Sequence, residues 1–229
     1  MVLTPGTIAI LTHDTGRWSA FWESALALWF PQGTKLMTLY GLDLAKNRNT
    51  VLAQATGDWV WFLDDDHTFP KDTLARLLAR EVDVVQPVVV RRYTPFLPVA
   101  QREETQPDGT RRLMGQTLED LGREGVVAVD AVGMGGTLIR RRVWEGMAAP
   151  WFRVGELTGE TLSEDIGFCQ RARQAGFQCY VDLDVPIGHL AAVTITPIWD
   201  TGRWRVGLRV GNLEVLVPGV RRPPLDNPA

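Results

Sequence analysis

Gly57-Asp58-Trp59-Val60-Trp61-Phe62-Leu63-Asp64-Asp65-Asp66-His67 is a short apolar run closed by three adjacent aspartates. It is too short to cross a membrane and reads as a buried strand. A buried strand that ends in neighbouring carboxylates carries concentrated negative charge to one end of a sheet. Carboxylates that close repel one another, and a divalent cation relieves the repulsion because hard oxygen ligands suit magnesium or manganese. The carboxyl ends of strands are also where open α/β sheets take their ligands. The run therefore predicts a metal-assisted site for a phosphorylated ligand. By itself it also fits a solvated acidic turn before a helix beginning at Phe69-Pro70-Lys71-Asp72.

On either side of this run, strand and helix patterns alternate. Thr7–Thr12 is a β-type run, and Trp18, Phe21, Trp22, Ala25, Leu26 and Trp29 then recur at helical spacing. Lys35–Tyr40 is the second strand, and Asp43 can cap a helix that faces inward with Leu44, Val51, Leu52 and Ala55. After the aspartates, Pro70 fits a first helical position, with Leu74, Leu77 and Leu78 turned inward. Val82–Val90 is a nearly unbroken apolar run, as expected of a strand buried on both faces. This order predicts an α/β fold with a doubly wound, mainly parallel sheet.

From Arg91 the chain turns polar, and Arg91–Gly115 reads as a long loop or hairpin over the site. Strand patterns resume at Val126–Val132 and Thr137–Arg140, around Gly133, Gly135 and Gly136. Ser163 can cap a helix from Glu164 to Gln174, and Phe177–Val181 and Val185–His189 look like two short strands. Gly211-Asn212, between Arg203–Val210 and Leu213–Val217, is a strong hairpin signal. The Pro-rich residues from Arg221 read as a loose tail.

The composition excludes several classes. At 229 residues the chain can bury one good-sized core. A net charge of −3 implies no general attraction to nucleic acid or to membrane surfaces. No segment reaches the apolar length of a membrane span, and the N-terminus lacks a signal-peptide layout. Cys169 and Cys179 fit neither a disulfide framework nor a zinc motif and read as buried or half-buried thiols in a reducing cytoplasm. Nine tryptophans exceed what a core of this size needs, and some can stack on flat ligands or sugar faces.

Single residues are ambiguous. Glu164-Asp165 suit a helix start without any chemistry. Arg48-Asn49 would ordinarily be a solvated helix face, and His189 a structural histidine. His13 and His67 read as a loop residue and a turn residue. Their order along the chain is more informative. Ala45-Lys46-Asn47-Arg48-Asn49 precedes the alanine-containing run into Asp64-Asp65-Asp66. Gly133-Met134-Gly135-Gly136 follows, then Ser163-Glu164-Asp165-Ile166-Gly167, then Gly188-His189. This series resembles the nucleotide-sugar glycosyltransferases of the GT-A fold, and most closely their family 2, over about Thr7 to His189.

The resemblance implies a GT-A-like domain over residues 1–192. Residues 193–229 would then be a C-terminal extension, a hairpin and loose tail packed on the same domain. It also implies roles. Asp64 lies near the donor ribose and the metal, Asp66 is the direct metal ligand and His189 the late one. Arg48 helps hold the donor nucleotide, with Asp65 also on the donor side. Thr12 stands beside the base, and Asp43 is the one acidic residue offered after the second strand. Gly135 and Gly136 form the loop that meets the acceptor. Asp165 is the catalytic base and Glu164 its positioning neighbour. The implied cofactors are Mn²⁺ or Mg²⁺ and a nucleoside-diphosphate sugar, with a UDP-sugar as the default. The acceptor would be a hydroxyl-bearing saccharide, lipid, small molecule or modified nucleic-acid base, and transfer would invert the anomeric centre. Thr12-His13-Asp14-Thr15-Gly16 departs from the family's usual first loop, and the Gln-x-x-Arg-Trp motif of processive members is absent.

Three further readings complete the expectations. The same aspartates would serve a metal-dependent nucleotidyltransferase, or remain in a non-catalytic nucleotide-sugar binder. Arg91-Arg92, Arg111-Arg112, Arg140-Arg141-Arg142 and Arg221-Arg222 form a basic track if they cluster, and are solvated arginines if they do not. Trp199 and Trp204, around Asp200-Thr201-Gly202, are either part of a lid or the seal of a sheet edge.

Overall fold

The computed structural model describes residues 3–12, 18–157 and 160–217. His13, Asp14, Thr15 and Gly16, and the tail with Arg221-Arg222, lie outside the described residues. The chain divides into two units: residues 1–91 with 97–190, and residues 92–96 with 191–229.

The first half of unit 1 runs β1 (Thr7–Thr12), α1 (Ser19–Ala27), β2 (Lys35–Tyr40), α2 (Leu44–Gln54), β3 (Trp59–Asp64), β4 (His67–Thr68), α3 (Thr73–Leu78) and β5 (Val84–Val88). The second half runs β6 (Ala100–Thr105), β7 (Arg111–Gly115), α4 (Leu118–Leu121), β8 (Val126–Val129), β9 (Ala131–Val132), β10 (Leu138–Arg140) and α5 (Arg141–Glu145). It continues through β11 (Gly155–Leu157), β12 (Glu160–Leu162), α6 (Glu164–Gln174), β13 (Cys179–Pro186) and β14 (Gly188–His189). Seven strands form one sheet in the order β2-β1-β3-β10-β5-β13-β8. β1 is parallel to β2 and β3, and β13 is parallel to β5. β10 enters antiparallel between β3 and β5, and β8 lies antiparallel on β13. The sheet is thus mostly parallel, as expected, with two reversed strands that the alternating pattern did not reveal.

Position in the sheet explains the texture of each strand. β1 is buried at all six positions and β3 at five of six, because both lie inside the sheet with helices over each face. β2 alternates partly buried and exposed because it is the edge. The pleat sends Ala9, Leu11, Val60 and Phe62 to one core and Ile8, Ile10, Trp61 and Leu63 to the other. α2 and α6 cover the first face, and α1 and α3 the second. Trp59 and Trp61 are fully buried, and their indole N–H groups donate to Thr4 O at 2.9 Å and Gly136 O at 2.7 Å.

Several local expectations are corrected. Pro70 lies in the turn before α3 and not at its first position, and Thr73 N donates back to Pro70 O at 3.1 Å. Of the two short strands expected at Phe177–Val181 and Val185–His189, the first and the start of the second form one strand, β13, with a shift in register, while Gly188-His189 forms the separate strand β14. α6 starts at Glu164 as expected, but Ser163 makes no side-chain cap to the backbone, because its hydroxyl goes to Asp165. Within Arg91–Gly115, only Ala100–Gly115 is a hairpin: β6 pairs with β7 and also with β9, which leads into Gly133.

Unit 2 holds β15 (Val193–Asp200), β16 (Arg203–Val210) and β17 (Leu213–Val217), an antiparallel sheet of its own. The hairpin expected at Gly211-Asn212 joins β16 to β17. A second hairpin at Thr201-Gly202 sets Trp199 directly opposite Trp204, with ring centroids 5.2 Å apart. Among the described residues no helix is long and apolar enough to cross a membrane.

Candidate active site

The site lies at the carboxyl ends of β1, β3 and β5, where Leu11 pairs with Asp64. The chain must turn sharply there, and it does so through β4, which pairs antiparallel with β14 so that His67 stands opposite His189. The two imidazoles stack with centroids 4.6 Å apart. Asp66 contacts both at their edges, with Oδ1 3.3 Å from His67 Nδ1 and Oδ2 3.4 Å from His189 Nε2. One ligand atom from each of Asp66, His67 and His189 lies within 4.8 Å of the others. His189 Nδ1 contacts the carbonyl of Val90 at 2.9 Å. A carbonyl only accepts, so Nδ1 carries the proton and Nε2 is turned toward Asp66. Burial lowers the pKa of His67, against the opposing pull of Asp64 and Asp66, and so favours the neutral imidazole that binds metals.

Asp64 and Asp65 do different work. Asp65 is buried and accepts a hydrogen bond from Thr12 Oγ1 at 2.5 Å, which fixes the end of β1 to the turn after β3. Asp64 is partly exposed. Its Oδ1 stands 3.7 Å from Arg48 Nη2, and both this oxygen and Arg48 Nε are buried without a hydrogen bond among the described residues. Gly135 packs against this group so closely that a Cβ there would lie 2.6 Å from His67 Cε1 and 2.8 Å from Asp64 Oδ2. The loop holding Gly135 is rigidly tied. Gln86 Nε2 donates to Gly133 O and Gly135 O, and Thr137 Oγ1 to Gly133 O.

Arg48 is not on the solvated face the sequence alone implied; it is only 3% exposed. It bridges Asp64 at the end of β3 to Glu164 at the start of α6. Its neighbour Asn49 clamps Phe152, donating to Phe152 O at 2.7 Å and accepting from Phe152 N at 3.0 Å. Phe152 stacks on Phe168 of α6 at 4.5 Å, so α2 positions α6 by packing as well as by charge. Asp165 accepts from Ser163 Oγ and from Ile166 N, and its Oδ2 lies 3.7 Å from where a Gly133 Cβ would be. The carboxylate is therefore beside the glycine loop.

The structure thus gathers Asp64, Asp66, His189, Arg48, Glu164 and Gly135 in one place, with Thr12, Asp65, Asp165 and Gly136 around them. Asp43 stands apart: it is exposed, and its carboxylate caps α2 by accepting from Lys46 N at 2.9 Å. His67 is the residue that sequence reasoning missed. A polar residue three places past a strand end reads as a turn, and the available signal was that His67 continues an Asp-Asp-Asp run able to supply one more ligand atom.

Among known families, residues 26–145 match that described as glycosyl transferase family 2, 120 of the 229 residues. The chain belongs to glycosyl transferase family 2. It is a glycosyltransferase enzyme with a GT-A-like fold. The matched span includes Arg48, Asp64–Asp66 and Gly133–Gly136. Enzymes of the family generally use nucleotide-sugar donors and divalent cations, so the nucleotidyltransferase and binding-protein readings give way. No curated protein matches the sequence significantly. Among solved structures, the glycosyltransferase is similar to A197 from STIV, at 14% identity and a TM-score of 0.50, over 96% of this chain and 99% of that one. It is also similar to GalNAc-T7, solved with UDP, GalNAc and Mn²⁺, at 12% identity and a TM-score of 0.55. That likeness covers 80% of this chain but only 43% of the other. At these identities the likeness is one of fold.

Proposed function

We infer that this glycosyltransferase moves a sugar from a nucleoside-diphosphate sugar to an acceptor hydroxyl with inversion, using a divalent cation held by Asp66, His67 and His189. The observation that carries this reading is the convergence of one carboxylate and two imidazoles beside a buried, unanswered oxygen of Asp64. The residues fit a cation well. Two nitrogen donors favour Mn²⁺ over Mg²⁺, which prefers an all-oxygen shell. The Mn²⁺ and UDP of GalNAc-T7 support the same choice and make a UDP-sugar the first donor to test. When bound, the cation supplies charge neutralisation to the diphosphate leaving group.

The remaining steps belong to side chains. Asp64 would hold the donor's ribose side, with Thr12 at the base side, and Asp65 would serve through its bond to Thr12. Asp43 would act on the donor only through the start of α2. Arg48 would keep Asp64 and Glu164 in register and present positive charge to the donor. Asp165 would accept the proton of the attacking hydroxyl, a general-base contribution of about 10²–10⁴-fold. Its nearness to Gly133 supports this role, since the Gly133–Gly136 loop, with Gly135 and Gly136, would form the acceptor floor. Direct attack from the Asp165 side would invert the anomeric carbon. Donor binding and chemistry would reside in residues 1–192, with 193–229 as an extension. The deciding experiment incubates the protein with manganese and a panel of nucleotide sugars and follows nucleoside diphosphate release. No release from any donor, with or without sugar acceptors, would reject the reading.

A further inference from the structure

The register of the unit 2 sheet sorts its side chains with unusual strictness. Residues opposite one another in paired strands share a face. The rows are Val193-Val210-Leu213, Ile195-Leu208-Val215, Pro197-Val206-Val217 and Trp199-Trp204. Every residue of this face is apolar. The other face carries Thr194, Thr196, Asp200, Arg203, Arg205, Arg209 and Glu214, together with Leu216 and with Ile198 folded over Gly207. Yet the apolar face is open: Ile195 is 69% exposed, Trp204 68%, Trp199 60% and Val193 52%.

A small antiparallel sheet with one bare apolar face does not hold itself together well in water. Strands of eight residues span roughly 27 Å, and three of them roughly 14 Å. With side-chain relief the face offers on the order of 600 Å² of apolar surface, the top of the range for the largest patch on a monomer. Doubled across a twofold axis it reaches ~1,200 Å², where stable specific interfaces begin. The face also bears no charge, so a copy laid on itself brings no like charges together, and pleated sheets pack face to face at about 10 Å. The charges on the opposite face are largely answered internally, Arg205 by Asp200 at 2.9 Å and Arg209 by Glu214 at 3.4 Å. That balance lacks the basic excess that draws a sheet to an anionic membrane.

We propose that the apolar face of β15-β16-β17 is a homodimer interface, covered by the same face of a second copy of this chain in a two-sheet sandwich. Leu208 sits at the middle of the middle strand and so nearest the twofold. The inference is independent of the transfer reaction, and donor turnover does not enter its test.

The test is sedimentation equilibrium of the full chain across micromolar concentrations. The expected result is a reversible dimer of twice 25.5 kDa. Leu208→Glu should weaken it about 100-fold or more, because an unpaired charge would be buried at the centre. A second variant guards against misfolding of the first. Leu208→Cys is nearly conservative, and the native thiols Cys169 and Cys179 are both buried. With a bismaleimide linker that spans about 10 Å it should form a covalent dimer, whereas the wild type should not. A wild type that stays monomeric at all concentrations overturns the proposal. So does a monomeric wild type that floats with phosphatidylserine-containing vesicles, which would make a lipid surface the occupant. A folded Leu208→Glu variant with unchanged dimerisation places the interface elsewhere and overturns it too.

Discussion

At its amino end β3 meets Arg140, Arg141 and Arg142, with Asp58, Glu81 and Glu145 around a cleft of about 530 Å³. At its carboxyl end it meets Arg48, Asp64, Asp66, Glu164 and two histidines. Both ends are crowded with charge, yet the bonding differs. At the amino end Arg140 donates to Leu78 O at 2.6 Å, Arg141 to Gly57 O and Ala55 O, and Arg142 to Asp83 at 2.8 Å. These arginines close strand and helix ends, and burial lowers the pKa of Arg140. At the carboxyl end Asp64 Oδ1 and Arg48 Nε are buried with their hydrogen-bonding capacity unused among the described residues. The amino-end arginines complete backbone bonds, whereas the carboxyl-end cluster holds buried polar atoms without a hydrogen bond among the described residues, which is the basis on which the site is proposed there. The same contrast separates Arg140–Arg142 from the aspartates: they lie at the opposite end of the central strands, where they complete structural bonds.

The contrast can be broken by mutation, because carboxyl-end changes should alter turnover and amino-end changes should alter stability. The largest effect is expected from Asp66→Asn, which should lower manganese-dependent nucleoside diphosphate release by roughly 10³-fold or more while melting near the wild type. His189→Ala should behave alike, and near-normal turnover in either would remove the metal assignment. Asp165→Asn should fold and bind donor normally but lose about 10²-fold or more in kcat. Turnover kept in Asp165→Asn and lost in Glu164→Gln would exchange the two roles. A smaller effect is expected of His67→Ala, which should weaken Mn²⁺ binding at least about 10-fold in a direct titration. Unchanged affinity would return His67 to a merely structural place. Smallest for catalysis is Arg141→Ala. Loss of its bonds to two backbone carbonyls should cost about 1–2 kcal/mol by thermal or urea unfolding, with turnover within about twofold of wild type. A large loss of activity there would show that the amino-end cleft takes part in the reaction.

The alternation of strand and helix, the Asp64–Asp66 strand end and the Glu164 helix start could be read along the chain, because each depends on neighbouring residues. Two histidines show where such reading stopped. His189 was nominated by its place in the motif order, whereas His67 was dismissed, since nothing local says that a two-residue strand will pair with another 120 positions later. Helix periodicity alone likewise puts Arg48 on a solvated face, because it is blind to a partner on a different helix; only the motif order points it inward.

Hydrophobic periodicity by itself determined that this chain makes a doubly wound sheet, because burial on two faces imposes unbroken apolar runs. Motif order singled out the residues that the structure brings together at the carboxyl ends. Tertiary structure alone decided that β10 and β8 run antiparallel, that Arg48 ties Asp64 to Glu164, and that His67 stacks on His189. It alone also aligned eleven apolar residues on one face of β15-β16-β17. The physical reason is common to all four: each depends on the register and direction of segments far apart in the chain, which are set by pairing geometry and not by local composition.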